Sequence, residues 1–505
     1  MTDLRSRFTP LPFAEERWEI FAESVRTDYD AFFDAPGPIV GARAPGRLDI
    51  MGGVADYSGS IVLEMPLSEA AYCAWQWRED RLIRVQSLNA QEDGFDAIVE
   101  IPLSDLVDED NYILTPEEVR RRLNSNPAKK WAAYVVGCYY VMLQAYGKIS
   151  QGKADNRLGD LGANILISSE VPIGAGVSSS AALEVATMCA LSEAAGIHPS
   201  ELTLAAWCQK VENMIVGAPC GIMDQVTSAL GRENALLVLQ CQPHTLLGHQ
   251  IVPKGWKFIG LDSRVKHSVG GTAYTKARVG AFMGLKVIQL ESGGKLLHNY
   301  LCRMSVQEFQ TYKEMIPTSI TGLEYNELFG RLPDIVTRVN PSETYRPRDC
   351  AEHPILENER VKEFVGLMSL ADFRREERQM FRTTDPDGNN DEGDPDTQLM
   401  KELGQLMYEA HASYSQRLDL GSPETDLLVH LIQERGVERG LYGAKITGGG
   451  SGGTVAVFLA DTEDAHLALS EVCDEYEKQI GVAPYAFVGS GPGALEFGAK
   501  YITRG

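Results

Sequence analysis

The chain has 505 residues, which is too long for one compact core and favours two lobes of roughly 200 to 250 residues each. Its 44% hydrophobic and 23% charged residues are typical of a soluble globular protein, and its net charge of −23 at pH 7 disfavours binding to nucleic acid or to anionic membranes. Because neither a signal-peptide pattern nor an apolar run of about 18 residues occurs, we expect a cytoplasmic protein without membrane or nucleic-acid partners.

The first half of the chain predicts a helical lead-in followed by strands and buried helices. Apolar residues recur at three- and four-residue steps from Phe13 to Val25, which is typical of a helix. A turn is expected at Pro45-Gly46. The other elements expected in this half are strands at 61–66, 70–77 and 164–168, helices at 130–146, 181–195 and 202–216, and a turn at 217–221.

The second half restarts near residue 250 with a predicted strand at 257–261, and a lobe boundary is placed there. A long helix is expected at 396–418 and a strand-turn-strand unit at 443–459. The acidic stretch 385–396 has alternating aspartates like a calcium loop, but Asn390 and Asp396 stand where such loops use Gly and Glu. It therefore predicts a flexible surface loop. The nine cysteines are an odd number without a C-x-x-C pair, which argues against a disulfide framework and a structural zinc site.

A glycine- and serine-rich run, Val171–Ala182, lies between a predicted strand and a predicted helix. Gly174 and Gly176 allow a tight turn, and Ser178–Ser180 place hydroxyl and free N–H groups at a helix N-terminus, which attracts anions. An ordinary turn with a serine helix cap explains the run equally well. The spacing fits neither the Walker phosphate loop, whose lysine is missing, nor the dinucleotide fingerprint.

Two further segments favour a phosphate site. The segment Ala42–Tyr57 places Arg47 and Asp56 among glycines, which suits charge chemistry more than packing. The segment Gly443–Gly453 ends with five glycines in six residues, a composition that is costly to order without a function or very close backbone packing.

Together, in this order and spacing, the three segments resemble the three signature motifs of the GHMP small-molecule kinases. The resemblance implies an α+β fold with two lobes, mixed and antiparallel sheets with helices packed on them, and an active site between the lobes. We accordingly expect a helical lead-in at 1–37, an N-terminal ATP-binding domain at 38–250 and a C-terminal domain at 251–505.

Within this family the chain resembles the galactokinase-like branch. The segments that correspond are 211–213, 217–225, 267–269 with Tyr274, 353–360 and 422–428. The runs P-G-R-L-D-x-M-G-G-x-A-D-Y-S-G-S, Q-K-V-E-N, H-S-V-G-G and A-K-I-T-G-G-G-S-G-G-T are similar to the kinase region of the plant-type L-arabinokinases, and the likeness covers about residues 38–500. We therefore expect ATP and Mg²⁺ as cofactors, and a sugar as substrate.

The resemblance also assigns roles residue by residue. Asp224 matches the catalytic aspartate that receives the proton of the sugar C1 hydroxyl, and Arg47 matches the arginine that pairs with it. Ser180 and Glu212 match the magnesium positions. The implied ATP- and phosphate-binding residues are Gly174, Ala175, Gly176, Val177, Ser178, Ser179, Ser180 and Ala181. The implied sugar-binding residues are Asp56, Gly53, Val54, Tyr274 and Gly221, and the active-site glycine loop comprises Gly448, Gly449, Gly450, Ser451 and Gly452.

The residue patterns alone would also fit a helix cap at Asp224, an exposed helix carboxylate at Glu212 and a core tyrosine at Tyr274. The choice of sugar depends on Gly53 and Val54, where galactose-specific members carry Glu and His that reach the sugar's C6 hydroxymethyl group. L-Arabinopyranose is D-galactopyranose without that group, so L-arabinose is the expected substrate and L-arabinose 1-phosphate the product. We also expect Glu and His at these two positions to shift the preference towards galactose.

Three alternatives remain open from the sequence. A galactokinase, or a 1-kinase for a uronic acid such as galacturonate, would use the same motifs, although a sugar carboxylate would require a nearby cation that Gly53 and Val54 do not supply. A galactokinase-like sensor would bind sugar and ATP without turnover; the intact Ser180-Ala181 step, together with Arg47 and Asp224, favours catalysis. The sequence does not give the oligomeric state.

Overall fold

The computed structural model describes residues 7–147, 158–266, 272–294, 299–380, 395–450 and 452–504. The chain divides into two compact units, each assembled from several segments. The first unit comprises residues 1–9, 48–65 and 234–489, and the second comprises residues 10–47, 66–233 and 490–505. The domain boundaries expected at residues 37/38 and 250/251 stay predictions.

The α-helices are α1 (Ala14–Thr27), α2 (Pro116–Leu123), α3 (Ala132–Gly147), α4 (Ser179–Ala195), α5 (Glu201–Lys210), α6 (Met223–Leu230), α7 (Thr272–Glu291), α8 (Val306–Tyr312), α9 (Gly322–Phe329), α10 (Pro347–Met380), α11 (Pro395–Arg417), α12 (Pro423–Arg435), α13 (Glu463–Ile480) and α14 (Ala494–Phe497). The strands are β1 (Ile39–Met51), β2 (Ile61–Arg78), β3 (Leu82–Ser87), β4 (Ile98–Pro102), β5 (Gly162–Ser169), β6 (Ala235–Gln240), β7 (Thr245–Ile251), β8 (Trp256–Lys266), β9 (Ile320–Thr321), β10 (Thr344–Tyr345), β11 (Leu441–Ile446), β12 (Gly452–Ala460), β13 (Tyr485–Val488) and β14 (Lys500–Ile502). A π-helical turn, Val211–Val216, follows α5 directly.

The second unit contains a mixed sheet. Residues 71–78 of β2 pair antiparallel with β5, β5 pairs parallel with β3, and β3 pairs antiparallel with β4. The start of β1 pairs with β14 near the other end of the chain. Buried aromatic side chains link the sheet to α3, since Trp75 of β2 stacks on Tyr139 with ring centroids 5.9 Å apart. Strand β5 leads through the Val171–Ala182 run into α4, so a regular element holds the run at each end.

The first unit contains a four-stranded antiparallel sheet in the order β11-β12-β8-β13. Helices α12 and α13 cover it and share one apolar core with its buried residues, including Leu431, Val457 and Leu469. A second core joins α7, α10 and α11 and includes Ala281, Ile355 and Leu418. Residues 61–64 of β2 also belong to this unit and pair with β6.

Most of the predicted elements are confirmed, with shifts of a few residues at their ends. The helices expected at 130–146, 181–195 and 396–418 are α3, α4 and α11, and the strand-turn-strand unit at 443–459 is β11 and β12. Two predicted strands, 61–66 and 70–77, are one continuous strand, β2. All nine cysteines are free, and eight of them are buried. In the part of the chain with described coordinates, no helix is both long and apolar enough to cross a bilayer.

The turn predicted at Pro45-Gly46 is wrong, because β1 runs straight through both residues. Glycine is needed there for close approach: a Cβ on Gly46 would lie 2.7 Å from the Val177 carbonyl oxygen and 2.9 Å from the Val171 side chain. The helix predicted at 202–216 is α-helical only to Lys210 and then widens into the π-helical turn. Of the acidic stretch 385–396, residues 385–394 lie outside the described residues, and Asp396 is the second residue of α11.

Candidate active site

The Val171–Ala182 run forms a tight loop that joins β5 to α4. Gly174 and Gly176 have positive φ angles of 79° and 75°, which glycine adopts without a steric cost. Ala175 and Val177 are buried and hold the loop against the unit. Ser178 precedes α4 with a left-handed φ of 60° and forms no capping hydrogen bond with its side chain. The run is therefore not an ordinary serine helix cap.

Arg47 fastens this loop to the head of α6. Its side chain is almost completely buried, and its Nη1 donates to the carbonyl oxygen of Gly176 over 2.8 Å. Its Nε and Nη2 donate to Oδ1 of Asp224 over 3.0 and 2.8 Å. The Arg47 backbone N–H also donates to the Val177 carbonyl oxygen over 3.1 Å. One guanidinium thus fixes the phosphate-loop candidate and the candidate catalytic aspartate together.

Asp224 is the second residue of α6, where the helix dipole favours a negative charge. Its Oδ1 accepts from Arg47 and its Oδ2 accepts from the hydroxyl of Ser178. The side chain keeps 24% of its surface exposed, so it is held by partners and still accessible. Gly221 lies in the irregular segment just before α6, next to the partly buried Cys220.

Glu212 lies in the π-helical turn and is 8% exposed. Single π-helical turns inside helices are frequent at functional sites. Its carboxyl accepts hydrogen bonds from the Ser180 hydroxyl and, over 2.8 Å, from Nε2 of Gln225. Burial and the neighbouring Asp224 carboxylate raise the pKa of Glu212 from 4.5 to about 7. The two residues expected at the magnesium site are therefore in contact.

A second carboxyl, Glu184 of α4, lies beside Glu212. It is fully buried, and burial together with Glu212 raises its pKa well above the usual value. Nε2 of Gln225 bridges the pair, since it also donates to Glu184 over 3.3 Å. The sequence-based reasoning missed Glu184, although an acidic residue in an otherwise apolar, alanine-rich helix is a recognisable signal.

This group of oxygens suits a hard divalent cation. Oε1 of Glu184 is buried without a hydrogen-bond partner among the described residues, and Glu212 and Ser180 supply a carboxylate and a hydroxyl oxygen. No cluster of three or more His, Cys, Asp or Glu side chains suited to a metal occurs in the described ranges. A site with few protein ligands is what Mg²⁺ uses when phosphate oxygens and water complete its shell.

The expected sugar-binding residues of the first unit gather around a short 3-10 turn, Asp56–Ser58. Asp56 is 3% exposed, and the ring of the next residue, Tyr57, meets the ring of Tyr274 edge-on at 6.0 Å between centroids. Tyr274 is partly exposed near the start of α7, and a Cβ on Gly449 would lie 3.8 Å from its ring. Val54 has a positive φ of 55°, an outlier for a β-branched residue, and such strain clusters at functional sites.

The second glycine-rich loop uses its glycines for backbone conformation and close approach. Gly448 and Gly450 have φ angles of 70° and 76°, and Gly452, at the start of β12, has 106°. A Cβ on Gly450 would lie 2.6 Å from the carbonyl oxygen of Leu420. Gly449 is exposed, and Ser451 lies outside the described residues. The correspondence at 267–269 falls outside them as well.

A buried polar network holds the Asp49–Gly53 segment, and the sequence-based reasoning missed it. Nζ of Lys445 donates to the backbone oxygen and to Oδ2 of Asp49, both over 3.0 Å, and both side chains are fully buried. The hydroxyl of Tyr414 contacts Oδ2 of Asp49 at 3.1 Å and the Gly448 carbonyl oxygen at 3.2 Å. These residues stand on three separate elements, β1, α11 and β11, so local sequence patterns do not bring them together.

Two residues of α10 hold the same segment by its backbone. The Gly52 N–H donates to Oε1 of Glu357 over 3.0 Å, and Nε2 of His353 lies 3.0 Å from the Gly53 carbonyl oxygen. Nδ1 of His353 lies 2.8 Å from the Ser413 hydroxyl oxygen. Burial lowers the pKa of His353 to about 4, so the ring is neutral and its Nε2–H donates to Gly53.

Comparisons with known families agree with this architecture. The GHMP kinases N terminal domain matches residues 133–232, the GHMP kinases C terminal region matches residues 396–478, and the galactokinase galactose-binding signature matches residues 27–76.

Individual relatives match along most of this chain. L-Arabinokinase of Arabidopsis thaliana is 38% identical over 92% of this chain and 47% of its own length, so the chain spans about half the length of that protein. Galactokinases of Chloroflexus aggregans and Haemophilus influenzae are 27% and 28% identical over 87% and 89% of this chain, and over 89% and 93% of their own lengths. Galactokinase of Lactococcus lactis, solved with galactose, has a TM-score of 0.68 at 20% identity, over 95% of this chain and 99% of its own, which shows the fold.

Proposed function

We propose that this chain, a member of the GHMP kinase family, is an ATP-dependent sugar 1-kinase that converts L-arabinose into L-arabinose 1-phosphate. The observation that carries the proposal is the Arg47–Asp224 pair, because one buried guanidinium joins a candidate general base to a glycine-rich loop at a helix N-terminus. Phosphoryl transfer requires mainly alignment and charge neutralisation, and this arrangement supplies both.

The loop residues Gly174–Ala181 would hold the ATP phosphates through backbone N–H groups and the hydroxyls of Ser178 and Ser179. Ser180 and Glu212 would hold the Mg²⁺ ion, which neutralises phosphate charge when it is bound. Gln225 would hold the Glu212 carboxyl in position, since its amide donates to both Glu212 and Glu184. The Gly448–Gly452 loop would shape the active-site floor by close backbone approach.

Asp224 would accept the proton of the anomeric hydroxyl as that oxygen forms its bond to the γ-phosphorus. The bond between the γ-phosphorus and the β,γ-bridging oxygen breaks in the same in-line displacement, and its electron pair leaves with ADP. Arg47 would stabilise the negative charge that develops during the transfer. No covalent enzyme intermediate is required.

Asp56 would hold ring hydroxyls of the sugar, Tyr274 would cap it, and Gly221 would line it. The preference for L-arabinose is supported by the absence of polar side chains at Gly53 and Val54. It is supported further by the relative named L-arabinokinase, which is 38% identical where the galactokinases reach 27% and 28%.

A coupled ADP-release assay with L-arabinose, D-galactose, D-galacturonate and D-glucuronate tests reaction and substrate together. We expect the highest kcat/KM with L-arabinose. Asp224→Asn is the control, because it keeps the shape of the side chain but removes the base, so turnover should fall at least about 1,000-fold while ATP binding persists. Binding of both ligands without ADP release would instead identify a sensor, and an undiminished Asp224→Asn variant would refute the assigned base.

A further inference from the structure

The space beside Gly53 is already filled. Gly53 is buried, and a Cβ built on it would overlap both the hydroxyl oxygen of Tyr414 and Oδ2 of Asp49. This is the position where galactose-specific members carry the glutamate that reaches the C6 hydroxyl. The glycine therefore does not leave an open hole, and other groups of the same unit occupy the position.

The groups that fill the space are mutually bonded and cannot move independently. Tyr414, Asp49 and Lys445, here called the Asp49 cluster, are fully buried, and the Tyr414 hydroxyl and the Lys445 ammonium both contact Oδ2 of Asp49. The Lys445 ammonium also lies 5.3 Å from the centroid of the Tyr414 ring. Removing one partner of a buried ion pair is costly, so the cluster resists displacement by a new side chain.

The neighbouring position is filled as well. Val54 is 1% exposed and belongs to the apolar core that includes Tyr57 and Phe282. A polar histidine side chain would have to displace this contact. Neither of the two substituted positions offers extra volume for a larger C6 group.

We infer that the Asp49 cluster occupies the volume of the missing C6-recognising side chain and thereby makes the enzyme selective for a pentopyranose. The inference rests on the proposed function and identifies its specificity-determining residues as Tyr414, Asp49 and Lys445. It adds a condition to the expected exchange at positions 53 and 54: a glutamate at position 53 needs space that the Tyr414 hydroxyl and Oδ2 of Asp49 now fill, and removal of the hydroxyl frees part of it.

The steric part is tested by a double-mutant cycle of Gly53→Ala and Tyr414→Phe, read as melting temperature. Gly53→Ala alone should lower the melting temperature by several degrees, and Tyr414→Phe in the same chain should recover part of that loss. Tyr408→Phe is the matched control: Tyr408 stands on the same helix, its hydroxyl has no hydrogen-bond partner among the described residues, and it packs against the other core. Tyr408→Phe should not recover any of the melting temperature that Gly53→Ala loses. Strictly additive melting temperatures would overturn the inference.

The specificity part is tested by kcat/KM for L-arabinose and D-galactose. The Gly53→Glu/Val54→His variant should have kcat/KM values at least tenfold below those of the wild type for both sugars, and it should still prefer L-arabinose. Addition of Tyr414→Phe should raise kcat/KM for D-galactose at least tenfold, mostly through KM, with a smaller effect for L-arabinose. A galactose preference in the Gly53→Glu/Val54→His variant at an unchanged melting temperature would refute the role of the cluster.

The two parts separate this inference from the proposed function. A wild-type chain that phosphorylates neither sugar would overturn the proposed function and the assignment of pentose selectivity with it. The thermal cycle would then still show whether Tyr414 occupies the Gly53 space, because it needs no substrate.

Discussion

At the scale of single residues, Glu212 is notable because two opposing effects act on the protonation of its buried carboxyl. Burial and the Asp224 carboxylate favour its protonated form and raise its pKa to about 7, whereas a bound Mg²⁺ requires the carboxylate. Proton and metal should therefore compete at this residue near neutral pH.

The first prediction concerns the pH dependence that this competition causes. Between pH 4.5 and about 7 the folded state holds a proton on Glu212 that the unfolded state has released, so the stability of the metal-free protein should fall as pH rises through this window. The kcat/KM for MgATP should change in the opposite sense and decrease about tenfold per pH unit below 7. Thermal unfolding measures the stability and steady-state kinetics measure kcat/KM, both from pH 5 to 8.5.

Substitution of the two neighbouring glutamates by glutamine separates the roles. Glu212→Gln should reduce the stability slope and cost at least about 100-fold in kcat/KM for MgATP. Glu184→Gln should leave activity within about fivefold at pH 7, since glutamine keeps the shape of the side chain and Glu184, whose pKa burial raises, is not the proposed cation ligand. Equal losses in both variants would show that Glu212 is not the distinct cation ligand.

Sequence reasoning selected residues that lie together in the structure where a motif is continuous in sequence. Arg47, the Gly174–Ala181 loop and Asp224 each stand in a recognisable segment, and the structure places them in contact. Their chemical roles stay predictions until activity is measured. Asp49 and Tyr414 could not be found in this way, because their importance lies in a contact between residues 365 positions apart.

At the scale of elements, α10 and α11 act together on the short segment that follows β1. His353 of α10 joins the Gly53 carbonyl oxygen to Ser413 of α11, and Glu357 holds the Gly52 N–H. The backbone at Gly52–Val54 is thus held from outside, which explains how Val54 persists with a positive φ.

The second prediction follows from the buried, neutral His353. Burial lowers its pKa from 6.5 to about 4, although the Glu357 carboxylate acts in the opposite direction. The stability that depends on the neutral ring should be complete above pH 6.5 and decline as pH falls towards 4, because the unfolded histidine takes up a proton first. Unfolding by urea at pH 4.5, 5.5 and 7 measures this decline.

The matched variants are His353→Gln, His353→Ala and His430→Gln. The glutamine amide can still donate to the Gly53 carbonyl oxygen, so His353→Gln should reduce the acid sensitivity and keep most of the stability at pH 7. His353→Ala leaves that oxygen unsatisfied and should cost about 1–3 kcal/mol. His430 is 64% exposed, and its replacement should change neither quantity by more than about 0.5 kcal/mol. Wild-type acid sensitivity in His353→Gln would contradict the assignment.

The elements themselves were largely predictable, because apolar periodicity is a local signal. Two predictions failed for physical reasons. Pro45-Gly46 allows a close approach to the Val177 carbonyl oxygen and does not form a chain-reversing turn. The π-helical turn at Val211–Val216 has no distinct sequence pattern. The pairing of β14 with β1 joins residues some 460 positions apart, and local patterns carry no information about it.

At the scale of the whole molecule, the candidate residues are divided between the two compact units. The nucleotide candidates, from Gly174 to Glu212, belong to the second unit, and Asp56, Tyr274 and the Gly448 loop belong to the first. A ligand that binds only the folded state stabilises it by about 2.7 kcal/mol at a concentration of 100 Kd. Thermal shifts can therefore report on sugar and nucleotide sites separately.

The third prediction uses this separation. Asp56→Asn replaces the proposed acceptor of the ring hydroxyls, so L-arabinose should no longer raise the melting temperature, whereas MgADP should shift it by the same few degrees as in the wild type. Ser180→Ala should show the reverse pattern, a weakened MgADP shift and an intact sugar shift, because it removes a hydroxyl that contacts Glu212. Omission of Mg²⁺ is the internal control, since it should reduce the ADP shift of the wild type towards that of Ser180→Ala. If Asp56→Asn lost both shifts equally, its effect would be general unfolding of the chain, and Asp56 would not be a sugar ligand.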